Sequence, residues 1–416
     1  MYRSTEHLLS GFQEHLQGQG YRQKTIQCAL GTGRSFLAFL HHHRIPLSQV
    51  TPTIVEDYLT AQLRLYQHRH QHLPRGVHPW RDLFNRGLPG FLRYALGQWP
   101  PPPQLQSARE AQDSRIMEAY GRWLAESRGL SSLTIDGLQA EARRFLRWLT
   151  QTTPTQPLRD LSVVEIDAWL AYRLAEKRRS TKAHLVHSFR NFLRWLHHYG
   201  WVTRDLTATV TAPSLYAFES LPSALSSEDI ARVLAKTHQD QTARGRRDFA
   251  MLTLLATYGL RAGEIVTLRL EDVEWRNDRL RIRHSKTGKE SVLPLLPAVG
   301  EALLTYLRSA RPPTTRREIF LRVKAPHQPF HDGSSLHTLV TRRLQRAGVV
   351  FQGKHGPHAF RHARALSLLR TQVSLKTIGD ILGHRATKST TAYLRLATDD
   401  LRSVGLDIPV LTEVRR

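Results

Sequence analysis

Between His358 and Tyr393 the chain sets histidine, arginine and tyrosine at spacings that suit phosphate chemistry: HAFRH at 358–362, then ILGHRATKSTTAYLRL from Ile381. Pro357 directly precedes the apolar, Arg-rich run HAFRHARALSLLR, which predicts a helix beginning there, since the N–H that proline lacks would be unpaired in the first turn anyway. His358 and Arg361, three apart, then share a face near the positive end of the helix dipole, where their polar heads can converge on one anion. A second short helix, SLKTIGDIL, should stop at Gly383, whose turn presents His384. Tyr393 follows nine residues later. With no cysteine and no carboxylate pair in the stretch, the set suits phosphoryl chemistry without a metal. Each residue alone has an ordinary reading: a histidine on a helix usually meets solvent or a satisfied core, and this tyrosine is one of twelve. Only the joint spacing separates them from that background.

These residues need elements to hold them, and the same spacing leads to those elements. HxxRH, then LGH, then a tyrosine nine residues on resembles the C-terminal signature of the tyrosine recombinase (phage integrase) family. The resemblance implies a further arginine about a hundred residues upstream and a lysine in a hairpin between. Both are present. TYGLRAGEIVTLRLEDV places Arg261 just after the apolar helix DFAMLTLLATYG, which Gly259 should end, with Glu264 as the acid that follows. RLRIRHSKTGKESVLPL reads as two alternating strands around a turn at Thr287 and Gly288, with Lys286 at its lip.

The roles follow from the resemblance. Arg261 and Arg361 would neutralise the non-bridging phosphate oxygens, a task for which the planar guanidinium fork is suited and a lysine is not. Tyr393 would attack phosphorus, giving a 3'-phosphotyrosyl link and a free 5'-hydroxyl, with His358 accepting its proton. Lys286 would protonate the departing oxygen, His384 would hydrogen-bond the phosphate and Glu264 would brace the site. The covalent link conserves the bond energy, so neither ATP, metal nor other cofactor is expected.

Composition bears on the partner. The 416 residues carry 60 Lys and Arg against 35 acids, a net +25. This points to a polyanion, and both halves share the excess, 27 basic and 16 acidic residues in 1–210, 33 and 19 in 211–416, so both should touch nucleic acid, which the resemblance implies is double-stranded DNA. No apolar run approaches a membrane span, and MYRSTEHLL is not a signal peptide. The single Cys28 excludes a disulfide framework and suits a reducing cytoplasm, so a cytoplasmic, nucleoid-associated protein is expected. HHH at 41–43 and QHRHQH at 67–72 lack metal-ligand spacing.

Residues 1–98 read as four helices, and 112–201 as the same four again. Leu16 answers Leu124, Ile26 answers Ile135, Phe36 and Leu37 answer Phe145 and Leu146, Tyr58 answers Trp169, and FLRY at 91–94 answers FLRW at 192–195. The second set resembles the family's core-binding domain; the first is an addition that suggests a transposon-type recombinase. WPPPP at 99–103 is an extended spacer between them. The expected fold is therefore mainly α: two helical-bundle (SAM-like core-binding) domains at 1–104 and 105–215, then an α+β tyrosine-recombinase catalytic domain at 216–416 with a small antiparallel hairpin or sheet. The family resemblance implies a homotetramer on paired sites and exchange of the tail DDLRSVGLDIPVLTEVRR between protomers, with sister recombinases as possible partners. The expected function is site-specific cutting and rejoining of DNA for integration or transposition. A type IB topoisomerase shares the chemistry but fits the HxxRH and LGH spacings less well. A silent DNA-binding protein would have no need of all six catalytic residues.

Overall fold

A computed structural model describes residues 2–74, 76–85, 87–102, 107–215, 224–284, 288–350 and 356–383. The chain divides into two compact units, Met1–Pro101 with Leu221–Arg416, and Pro102–Ser220. Among the described residues, no helix is long and apolar enough to cross a membrane.

In the first unit, the N-terminal stretch forms α1 (Tyr2–Gly18), α2 (Gln23–His42), α3 (Pro52–His70), α4 (Val77–Asn85) and α5 (Leu88–Leu96). They enclose their own apolar core, led by Phe12, Phe36, Tyr58 and Phe91. The sequence reads 81–99 as one helix; it is two. Pro89 has no N–H to return to the carbonyl four residues back, and its ring clashes with that carbonyl. It therefore starts a new helix in its first turn.

The second unit holds α6 (Ala108–Arg122), α7 (Ser132–Thr152), α8 (Val163–Leu174) and α9 (Arg179–His198). Ser162 caps α8 in a reciprocal capping box with Glu165. The core is aromatic: Tyr120, Phe145, Trp169, Phe189, Phe192 and Trp195 are all buried.

The C-terminal part of the first unit opens with α10 (Ser227–His238), capped by Ser226, and α11 (Ala243–Tyr258), capped by Thr242. Then come α12 (Ala262–Val266), β1 (Val273–Glu274), β2 (Arg279–His284), β3 (Lys289–Pro294), α13 (Pro297–Ser309), α14 (Ser334–Arg346), α15 (Pro357–Arg370) and α16 (Leu375–Ile381). The sheet is antiparallel in the order β1-β2-β3, with Leu280 opposite Leu293 and His284 opposite Lys289. β2 and β3 are the expected hairpin; the two-residue β1 escaped the sequence because so short a strand shows no alternation. Helix α11 is buried nearly all round against α10, α13 and α15. The expected mainly α architecture with a small antiparallel sheet is observed.

Candidate active site

Arg261 is placed by the end of α11. Gly259 takes φ +66°, the left-handed conformation that ends the helix. A Cβ there would sit 3.0 Å from Leu382 and 3.3 Å from Arg364, so glycine also allows the close approach of α15 and α16. Just before it, the Tyr258 hydroxyl donates to the Pro294 carbonyl (2.6 Å) and accepts from the Leu296 N–H (3.1 Å), pinning the base of the β2–β3 hairpin to α11.

The guanidinium of Arg261 donates to Glu264 (2.8 Å) and to the Gly383 carbonyl (3.0 Å). Arg361, on α15 and 3% exposed, donates to the carbonyls of Gly259 (2.8 Å) and Leu382 (2.5 Å). Two arginines a hundred residues apart therefore converge on consecutive carbonyls, Leu382 and Gly383, directly before His384. Both guanidinium forks donate to main-chain oxygens of one turn, so the two arginines are held side by side. The α15–α16 corner is held by its own small cluster of Ala365, Leu368, Ile378 and Leu382.

Glu264 is buried beneath this pair of arginines. Burial by itself would raise its carboxyl. Hydrogen bonds from His284 and from the Arg261 backbone and guanidinium, with the Arg261 charge, outweigh that and hold it below the usual range. The carboxylate is thus ionised and fixes the orientation of Arg261.

His284 is a site residue that motif reading passed over. It is the last residue of β2 and is 3% exposed. Its Nδ1 lies 2.8 Å from Glu264 Oε1 and its Nε2 2.8 Å from Ser291 Oγ. An ionised Glu264 accepts from Nδ1–H, and Nε2 faces the Ser291 hydroxyl. A Cβ on Gly383 would come 2.4 Å from the His284 ring, so that glycine, at φ +61°, is needed for the ring as well as for the turn. One imidazole thus links the Arg261 support, the turn before His384 and the strand that leads to Lys286. Its only sequence signal was a histidine at an inward position of an alternating strand.

His358 and Arg361 share α15, as the spacing predicts, but their environments differ: Arg361 is buried and His358 exposed, its ring stacked 6.2 Å from that of His362. Lys286, His384 and Tyr393 lie outside the described residues. Among the described residues no cluster of three or more metal-ligating side chains occurs.

Comparison with known proteins places this geometry. The phage integrase family matches residues 223–399, and the phage integrase N-terminal SAM-like domain matches 117–200. A Sinorhizobium fredii protein named as an integrase/recombinase is 53% identical over 189 residues, 45% of this chain and 97% of its own. Tyrosine recombinase XerC of Rhodospirillum centenum is 33% identical over 312 residues, 73% of this chain and 89% of its own. A lambda integrase tetramer bound to a Holliday junction aligns with a TM-score of 0.52 at 17% identity, over 77% of this chain and 87% of that one. The family model and these relatives together define an enzyme that breaks and rejoins DNA strands. The chain belongs to the phage integrase family of tyrosine recombinases, and its activity is site-specific DNA recombination.

Proposed function

We propose that Tyr393 is the nucleophile of this recombinase, with Arg261 and Arg361 as the phosphate clamp, Lys286 as general acid, His358 as proton acceptor, His384 as hydrogen-bond donor to phosphate and Glu264 as the brace of Arg261. The observation that carries this assignment is the meeting of Arg261 and Arg361 on the Leu382 and Gly383 carbonyls. Free tyrosine has a pKa of about 10, so roughly one side chain in a thousand is ionised at pH 7 and a base must take its proton during attack. Negative charge grows on the non-bridging oxygens as phosphorus becomes five-coordinate. Preorganised guanidinium donors stabilise that charge more than they stabilise the ground state. The leaving 5'-oxygen is a poor leaving group unless protonated, which is the task assigned to Lys286.

Residues 105–215 would act as the core-binding domain and 216–416 as the catalytic domain. The active assembly would be a homotetramer on paired duplex sites, as in the lambda integrase complex, working in the nucleoid, with the tail after Tyr393 passed between protomers. The extra N-terminal helices favour a mobile element as the source, with integration or transposition as the outcome and sister recombinases as possible collaborators.

The test is a nicked suicide substrate carrying the ends of the element. Wild type should form an SDS-resistant protein–DNA adduct, and Tyr393→Phe should bind equally and form none. An adduct that survives the substitution would sink the assignment.

A further inference from the structure

The two N-terminal bundles, each taken by itself, repeat one another in backbone and in core. In the first, Pro46 (φ −66°, ψ 143°) leads into a 3-10 turn at Leu47–Gln49, followed by Val50 (−65°, 127°) and Thr51 (−116°, 163°), whose hydroxyl caps α3. In the second, Pro157 (−64°, 142°) leads into a 3-10 turn at Leu158–Asp160, followed by Leu161 (−52°, 130°) and Ser162 (−121°, 176°), whose hydroxyl caps α8.

The aromatic contacts recur pair by pair. Phe12 meets Phe91 and Tyr94 at 5.4 Å each, where Tyr120 meets Phe192 and Trp195 at 5.0 and 5.1 Å. Phe36 and Phe39 meet Tyr58 at 5.1 and 5.5 Å, where Phe145 and Trp148 meet Trp169, both at 5.6 Å. Bundles of similar composition share helices; they do not by chance share a capped 3-10 corner and a network of ring contacts in the same order. The broken helix fits too, since α4 and α5 together span the same stretch as the unbroken α9.

Superimposing the repeat by sequence sets Arg34 of α2 on Arg143 of α7, and Arg93 of α5 on Arg194 of α9. All four are exposed. Among the described residues neither Arg34 nor Arg93 is held in an ion pair, and Arg93 Nε donates to the Pro89 carbonyl of its own helix (3.1 Å). Residues 1–98 carry 11 Lys and Arg against 5 Asp and Glu, and 112–201 carry 14 against 9. The exposed large apolar side chains described in 1–98 are Leu65 on α3 and Leu73 and Val77 at the α3–α4 connection, none of them on α2 or α5. A face of α2 and α5 that offers cations without apolar anchors suits a phosphate backbone, not a protein interface, whose centre is depleted in charge.

We propose that residues 1–104 are a second copy of the core-binding bundle and form a second site for duplex DNA, touching its phosphates through Arg34 and Arg93, with Arg143 and Arg194 serving the same way in residues 105–215. The proposal rests on the recombinase reading above and extends it: each protomer would cover more duplex than a recombinase with one such bundle.

The experiment uses the full chain and a mixed-sequence DNA duplex, because phosphate contacts do not depend on sequence. Arg34→Gln/Arg93→Gln should reduce the slope of log affinity against log salt by about 1.8, from about 0.9 per lost phosphate contact. Arg143→Gln/Arg194→Gln should do the same, and Arg34→Lys/Arg93→Lys should restore the wild-type slope. An unchanged slope in the first pair overturns the proposal, as does a reduced slope that lysine does not restore, which would report damage to the bundle and not loss of charge. The Tyr393 adduct assay on the unsubstituted protein tests the recombinase reading separately, so failure of one is not failure of the other.

Discussion

At the residue scale, His284 has the most to tell. Its ring orients Glu264, and Glu264 orients Arg261, so it reaches the arginine proposed as half of the phosphate clamp through two hydrogen bonds. His284→Leu removes a donor from a buried carboxylate, at a cost of about 1–3 kcal/mol. Glu264, held low in the native protein, would then titrate higher. The sign follows: a depressed carboxyl contributes stability above its unfolded pKa of about 4.3 and loses it as pH falls through the folded value. In His284→Leu the acid limb of the cleavage profile should therefore move to higher pH, with DNA affinity little changed. His284→Asn, which can still donate near the Nδ1 position, should restore much of the wild-type limb. A cleavage profile that merely scales down in both variants would make His284 a packing residue.

At the scale of elements, the catalytic region depends on a buried charge network that joins α14 to α11 and to the α10–α11 turn. Arg343, 3% exposed, makes two bonds to Asp248 (2.9 and 2.7 Å) and one to Asp240 (2.7 Å). Arg247 binds the other Asp248 oxygen and donates to the Leu321 carbonyl. Arg343→Met should destabilise by about 1–3 kcal/mol, because Arg247 still holds one Asp248 oxygen while the other is left buried without a donor; urea unfolding measures it. Asp240 is subject to burial, which raises its carboxyl, but Thr242 and Arg343 outweigh that and hold it at about 2. Its contribution is present above the unfolded value of about 3.9 and disappears as pH falls toward the folded one. Acid unfolding of Asp240→Asn should accordingly lose part of the wild-type steepness below about pH 4.

On the scale of the whole molecule, the net +25 makes binding to any duplex strongly salt-dependent. Positive charge alone would let a lone protomer cut wherever it landed, so strand exchange needs a check that only assembly satisfies. If the tail after Tyr393 passes to a neighbouring protomer as proposed, Leu401, Val404, Leu406, Ile408 and Val410 are the apolar side chains that would seat it. Leu406→Asp/Ile408→Asp should leave single-site binding intact and lower assembly of paired sites at least roughly tenfold, since burying a charge in an apolar seat costs more than 1.4 kcal/mol. Gel shift on one-site and two-site duplexes distinguishes these effects, and equal loss on both would remove the tail from the assembly.

What the sequence determined by itself is what local chemistry encodes. Pro357 starts α15, Ser226 caps α10, and Gly259 and Gly383 take the left-handed turns that end a helix and present the next residue. These signals act within a few residues, so a single chain displays them, and the ordered motifs beside them revealed the family. Tertiary structure alone decided what lies between distant elements. It buried Arg361 and left His358, three residues away on the same helix, in solvent, and it brought Arg261 to the Gly383 carbonyl across 122 positions of chain. It also turned His284 from an alternating-strand residue into the link between three parts of the site. Periodicity tells which side of an element faces inward; which partner waits there depends on how the elements pack, and no window of sequence contains that packing.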